Sequence, residues 1–154
     1  MSDNRKRALF LPFTLAIMFA CATTALACSC EDPSTRKKFR AADAVFLGRV
    51  VEVAPNDDRR FAEHPYRVRF AVEKSWKGGV GREASVVSHF DRPGSCGDLK
   101  FTPGESYLIY AERDKGVLVI YIDCGPNRRA ADAAAEIRKL NGFVFRLAAR
   151  LSPF

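Results

Sequence analysis

The chain has 154 residues, 25 Lys+Arg against 18 Asp+Glu, and a formal net charge of +7. That length suits one domain able to bury a core, and a mild, dispersed basic excess does not call for nucleic acid. The only long apolar stretch lies at the N-terminus, and no repeat or low-complexity segment interrupts the rest.

That N-terminal stretch has the order of a secretory signal. Arg5, Lys6 and Arg7 precede an apolar run from Ala8 to about Cys21, and Ala25-Leu26-Ala27 follows as a small-residue cleavage site. Residues 1–27 are therefore expected to be removed, giving a secreted or periplasmic protein that begins at Cys28. Ala8 to Ala27 is about long enough to act as an uncleaved anchor, but Pro12, Thr14, Thr23 and Thr24 argue against it. Acylation of Cys28 is the other alternative. The usual lipoprotein box has its larger apolar residue three positions before the cysteine, whereas here Ala25 and Leu26 stand the other way round. Cleavage leaves 22 basic and 17 acidic residues, a net of +5, and no membrane span.

The elements follow in chain order. Asp32-Pro33-Ser34 reads as a helix start, with a capping side chain and a proline in the first turn. A short helix through Lys37, Phe39 and Ala42 is predicted. Ala44 to Val53 is β-branched and apolar and predicts a strand, with Gly48 marking a bulge or sharp bend. Pro55 to Arg60 reads as a solvated loop, and Asp57, Asp58 and Asp91 as ordinary loop acids. Tyr66, Val68, Phe70 and Val72 alternate with Arg67, Arg69, Ala71 and Glu73, the two-residue period of a strand with one buried face. Lys77-Gly78-Gly79-Val80-Gly81 is a turn, and Glu83 to Phe90 a third strand. After a loop carrying Cys96, Pro103-Gly104 turns into a fourth strand, Glu105 to Glu112. Arg113 to Gly116 is a hairpin loop, and Val117 to Ile122 a fifth strand leading to Cys124. Arg129 to Leu140 reads as a helix stopped by Asn141-Gly142, and Phe143 to Phe154 as an apolar, basic tail able to form a second helix. The predicted fold is mainly β, a five-stranded Greek-key OB-fold-like barrel with flanking helices, with a β-sandwich as the alternative.

Four cysteines remain after cleavage: Cys28, Cys30, Cys96 and Cys124. In an exported domain an even set predicts two disulfides. A Cys28–Cys30 bridge would force poor geometry, so each N-terminal cysteine is expected to reach Cys96 or Cys124. Each long loop so closed contributes about 3–5 kcal/mol in the chain-entropy model. No C-x-x-C pair suggests a metal site of the protein's own. His64 and His89 read as surface or strand-end histidines, with no nucleophile motif beside them. Trp76 is expected in the core or at its rim. With Phe70 and Tyr66 on a buried face, stacking on nucleic acid is not expected. An enzyme reading finds no catalytic residues and no cofactor.

Several pieces occur together in a telling order. They are Cys28-Ser29-Cys30 after a signal peptide, Ala44 to Val50, Phe70 to Gly78, Ser95-Cys96-Gly97, Pro103 to Ala111, and Cys124-Gly125. Over residues 28–128 the chain resembles the netrin-like domain family, and within it the N-terminal domain of tissue inhibitors of metalloproteinases. Residues 129–154 are then a C-terminal helix and tail outside the resemblance. The resemblance implies the five-stranded barrel and the pairing Cys28–Cys96 and Cys30–Cys124. It also implies that the Cys28 amine and carbonyl chelate the catalytic zinc of a metalloendopeptidase, while Ser29 points into the first primed pocket of that protease. The third bridge of the animal inhibitors and their second domain have no counterpart here. The partners so implied are zinc metalloproteinases; the alternative is a non-inhibitory netrin-like module binding other extracytoplasmic proteins.

Overall fold

The computed structural model describes residues 32–88, 99–120 and 125–151. In them the chain forms helix α1 (Thr35–Ala41), strands β1 (Ala44–Pro55), β2 (Tyr66–Lys77), β3 (Glu83–Ser88), β4 (Ser106–Asp114), β5 (Val117–Ile120) and β6 (Arg128–Arg129), and helix α2 (Ala134–Leu151). A one-turn 3-10 helix, Arg59–Phe61, lies between β1 and β2. Among the described residues, no helix is long and apolar enough to cross a membrane.

The hydrogen-bonded order is β1-β2-β3-β5-β4-β6, and an additional β1–β4 pairing closes the first five strands into a mixed barrel. Every pairing is antiparallel except β3–β5. Closure separates the barrel from the sandwich alternative, because β1 pairs along its first half with both β2 and β4. The expected disulfides involve Cys28, Cys30, Cys96 and Cys124, which all lie outside the described residues.

Alternation builds the interior. Ala44, Phe46 and Val50 of β1 meet Val68 and Phe70 of β2, Val86 of β3, Tyr107 and Ile109 of β4 and Ile120 of β5. Edge-to-face rings organise its centre: Phe46–Phe70 at 5.6 Å, Phe70–Phe101 at 5.7 Å and Phe101–Tyr107 at 4.9 Å. Gly48 sits at a register shift against β2, and a Cβ there would lie 3.0 Å from Phe70 Cβ and 3.2 Å from the Phe46 ring. The bulge and the missing side chain together let the aromatic pair close.

β1 and β4 are buried on their outer faces as well. Val45, Leu108, Tyr110 and Trp76 pack against Ala42 and Phe39 at the end of α1, and against Ala133, Ile137 and Leu140 at the start of α2. Trp76 lies within β2 and donates from Nε1 to Asn141 Oδ1 at 2.9 Å. On the opposite side, Phe61 of the 3-10 turn covers Val87 and Val119.

Some local readings change. Ser34, not Asp32, caps α1, so Pro33 precedes the cap instead of occupying the first turn. Arg128 and Arg129 extend the sheet by pairing with Leu108 and Tyr107, which delays the second helix to Ala134. Asn141-Gly142 does not stop that helix. It runs on to Leu151 as one element, with Asn141 tied to the barrel through Trp76. His64 is buried at 4 % exposure, because the 3-10 turn folds its segment inward. Its amide donates to the Phe61 carbonyl, and its own carbonyl accepts from Asn56 Nδ2.

Asn127 closes part of the β4 edge. β5 pairs only with the far end of β4, and Asn127 Oδ1 accepts from the Tyr110 amide at 2.7 Å, fully buried. Asn127→Ala strands that amide and is expected to cost about 1–3 kcal/mol, read as a lower urea midpoint at unchanged slope.

Candidate functional site

Cys28 and Ser29, the residues expected to meet a protease, lie outside the described residues, as do His89 and Asp91. The described chain begins at Asp32, and there the structure contains a cluster of charges that sequence reasoning did not single out.

Lys38 is its centre. The residue lies on the inner side of α1, and its side chain is only 3 % exposed. Its ammonium lies 2.8 Å from Asp32 Oδ1 and 3.2 Å from Glu136 Oε1, joining the start of the described chain to the first turn of α2. Arg128 reaches the same two acids, with Nη2 2.9 Å from Asp32 Oδ1 and Nε 3.9 Å from Glu136 Oε2. The Tyr110 hydroxyl donates to Glu136 Oε1 at 2.9 Å. Glu136 stands in the first turn of its helix, where the backbone dipole favours a carboxylate. Two cations, two acids and a phenol from α1, β4, β6, α2 and the segment before α1 thus satisfy one another.

The electrostatics follow from these contacts. The Lys38 hydrogen bond holds the Asp32 carboxyl below its ordinary range; desolvation opposes it, and the Lys38 and Arg128 charges add to the lowering. Burial, reinforced by the Glu136 carboxylate, pushes the Tyr110 phenol up. A raised folded value means that the associated stability is present below the ordinary value of 10.0 and is lost as pH rises through the folded one. Tyr110 therefore stays a donor throughout the neutral range. A cleft of about 230 Å³ opens beside the cluster, lined by Asp32, Lys37, Ala41, Tyr110, Val119 and Pro126. The start of the described chain, the cluster and the cleft thus share one side of the barrel.

The other charged features are of a different kind. Arg49–Glu73 and Arg69–Glu52 run across the exposed β1–β2 face at 3.1 and 3.0 Å, where such pairs add little. Asp58 caps the 3-10 turn, and the Arg60 side chain holds its carboxyl down to about 2. Its contribution to stability is present above the ordinary 3.8 and fades as pH falls toward that lower value. Asp57 is exposed, while Phe70 and Trp76 are buried and Tyr66 is partly so. Among the described residues, no group of three His, Cys, Asp or Glu side chains is placed to hold a metal.

The cluster escaped the sequence because Lys38 and Glu136 are 98 positions apart, and a lysine within Arg-Lys-Lys-Phe-Arg carries no sign of being the inward one. Its only legible trace is helical spacing, with Lys38 three positions after Thr35 and four before Ala42, both buried. No protein-family model matches the chain, and no curated protein matches it.

Proposed function

We propose that this chain is an exported inhibitor of zinc metalloendopeptidases. It would be built on a netrin-like barrel and act through Cys28 as a new N-terminus. The strand order, with β3 and β5 parallel and β1 closed on β4, fits a Greek-key barrel of the oligonucleotide/oligosaccharide-binding type.

The observation that carries the reading is the Asp32–Arg128 ion pair. It joins a point two residues after Cys30 to a point four residues after Cys124. The resemblance implies a Cys30–Cys124 bridge, whose two cysteines stand two and four residues before the paired groups, and Cys28–Cys96 as the other.

In the proposed mechanism the mature Cys28 contributes its α-amine and its carbonyl oxygen to the zinc of the protease. An α-amine has an ordinary pKa of about 7.7–8.0, so a useful neutral fraction is present near neutral pH. Displacing the zinc-bound water removes the nucleophile that such proteases use. Ser29 enters the first primed pocket. The two bridges that the resemblance implies would hold this wedge, which lowers the ordering cost of binding.

The test compares mature protein beginning at Cys28 with a form carrying one extra alanine before it, against a panel of zinc metalloendopeptidases. Mass spectrometry of the N-terminus verifies both forms. The mature form is expected to inhibit, and the extended form to be weaker by at least about 100-fold, since an amide nitrogen replaces the amine. No inhibition by the mature form overturns the reading in favour of a non-inhibitory binding module. Equal inhibition by both forms overturns zinc chelation.

A further inference from the structure

We propose that the cleft beside Lys38 binds small monocarboxylates that carry an apolar body, and that the Asp32 side chain is a built-in occupant of the carboxylate position. This site does not depend on the function proposed above. The members of the charge cluster differ sharply in burial. Lys38 is 3 % exposed and Glu136 11 %, whereas Arg128 is 39 % and Asp32 65 % exposed. Lys38 Nζ and Arg128 Nη2 converge on one Asp32 oxygen, Oδ1, at 2.8 and 2.9 Å, one from α1 and the other from β6. Two cations aimed at a single oxygen form a receptor for a carboxylate. Glu136 is enclosed and also accepts from Tyr110, so it stays in place. Asp32 lies ahead of the Ser34 cap, outside α1, and its carboxylate is the one acid of the cluster that can turn out into water. When it does, Lys38 and Arg128 face Glu136 alone, and one positive charge is left without a counter-charge at the edge of the cleft.

The cleft supplies the other half of the site. Asp32 and Lys38 line its polar side, and Pro33, Ala42, Val119 and Pro126 give its volume of about 230 Å³ an apolar wall. A ligand whose carboxylate takes the place of the Asp32 carboxylate therefore lays its body on hydrocarbon. The exchange replaces one carboxylate by another and leaves the buried Lys38–Glu136 pair intact, and an exposed ion pair costs little to break. Lys37 also lines the cleft, exposed and without an ion pair among the described residues, and adds to the attraction for an anion. Glu112, exposed on the same lining, opposes a second negative charge, which favours a monocarboxylate over phosphate.

The test titrates acetate, butyrate and hexanoate into the protein and its Asp32→Ala and Asp32→Ala/Arg128→Gln variants, at neutral pH and constant ionic strength. Hexan-1-ol and inorganic phosphate are the controls. Binding is read from amide shifts at Ala41, Ala42, Tyr110 and Val119, and the amides of Val68 and Ile109 verify that each variant is folded. Hexanoate is expected to shift the cleft amides of the parent. Asp32→Ala is expected to bind it about tenfold more tightly, because a tethered competitor has been removed. Each added methylene is expected to tighten binding about threefold to fourfold, and Arg128→Gln to cancel most of the Asp32→Ala gain. No shift with hexanoate in either the parent or Asp32→Ala overturns the site. Equal affinity in those two forms overturns the role of Asp32 as occupant. Hexan-1-ol binding as tightly as hexanoate overturns the ionic receptor, as does an unchanged affinity on adding Arg128→Gln. A flat series from acetate to hexanoate overturns the apolar seat, and phosphate binding as tightly as hexanoate overturns the ligand class.

Discussion

Lys38→Met is expected to lower the stability of the folded chain by about 3–5 kcal/mol, the cost of leaving a buried charge without its partner. The side chain is 3 % exposed, and methionine fills similar space, so little of the loss comes from packing. The penalty falls on Glu136, which is 11 % exposed and, among the described residues, keeps Tyr110 and the more distant Arg128. Urea unfolding of the parent, Lys38→Met and Lys38→Met/Glu136→Leu decides the matter. The double variant should recover most of the loss, since apolar replacement of a whole buried pair is often neutral or better. A loss under about 1 kcal/mol in the single variant would mean that water reaches Glu136 in solution and that the cluster is not a buried one.

Gly78→Ala is expected to cost about 3 kcal/mol or more, far beyond the ordinary cost of a surface substitution. Gly78 has φ +90°, and a Cβ there would lie 2.6 Å from the Asp43 carbonyl oxygen and 2.8 Å from Ala44 Cα. Backbone strain and backbone overlap therefore add. The site is also a corner of the structure. Lys77, just before it, donates to the carbonyls of Phe39, Arg40 and Ala42 at the end of α1, and Asp43 Oδ2 accepts from the Arg113 amide at 2.8 Å. The matched control is Gly79→Ala: φ is +58° and nothing lies within 4 Å of a Cβ, so only about 1–2 kcal/mol of conformational cost remains. Thermal unfolding of the two variants side by side checks the account. Equal losses would rule out overlap at Gly78 as the cause.

Sequence reached the barrel through local signals that survive in the structure. The alternation from Tyr66 to Glu73 becomes the inward Val68 and Phe70 and the outward Arg69 and Glu73. Gly48 marks the register shift, Gly104 takes a positive φ in its turn, and Lys115 and Gly116 both take positive φ in the tight turn between β4 and β5. What sequence missed depends on partners far along the chain. Asn141-Gly142 carries a local stop signal, but a helix already packed through Leu140 and Asn141 continues past it. His64 has a polar loop's neighbours in sequence and a buried turn's neighbours in space. Lys38 looked like one of several surface cations until Glu136 was brought to it. Cys28-Ser29-Cys30 is legible in the sequence and lies outside the described residues, while the charge cluster at Lys38 is visible only in the structure.

The β1–β4 pairing has a temporal consequence. Ala44 to Arg49 find their second partners only in Ser106 to Ala111, well after β2 and β3 have been laid down. Until β4 arrives, the meander of the first three strands has two open edges, each a template for another chain. Pairings so distant in sequence also close slowly, since loop entropy is lost before contacts repay it. A chain truncated before Ser106 should consequently be prone to self-association, and the interval before β4 docks is the one in which a folding chain most needs protection from its own copies.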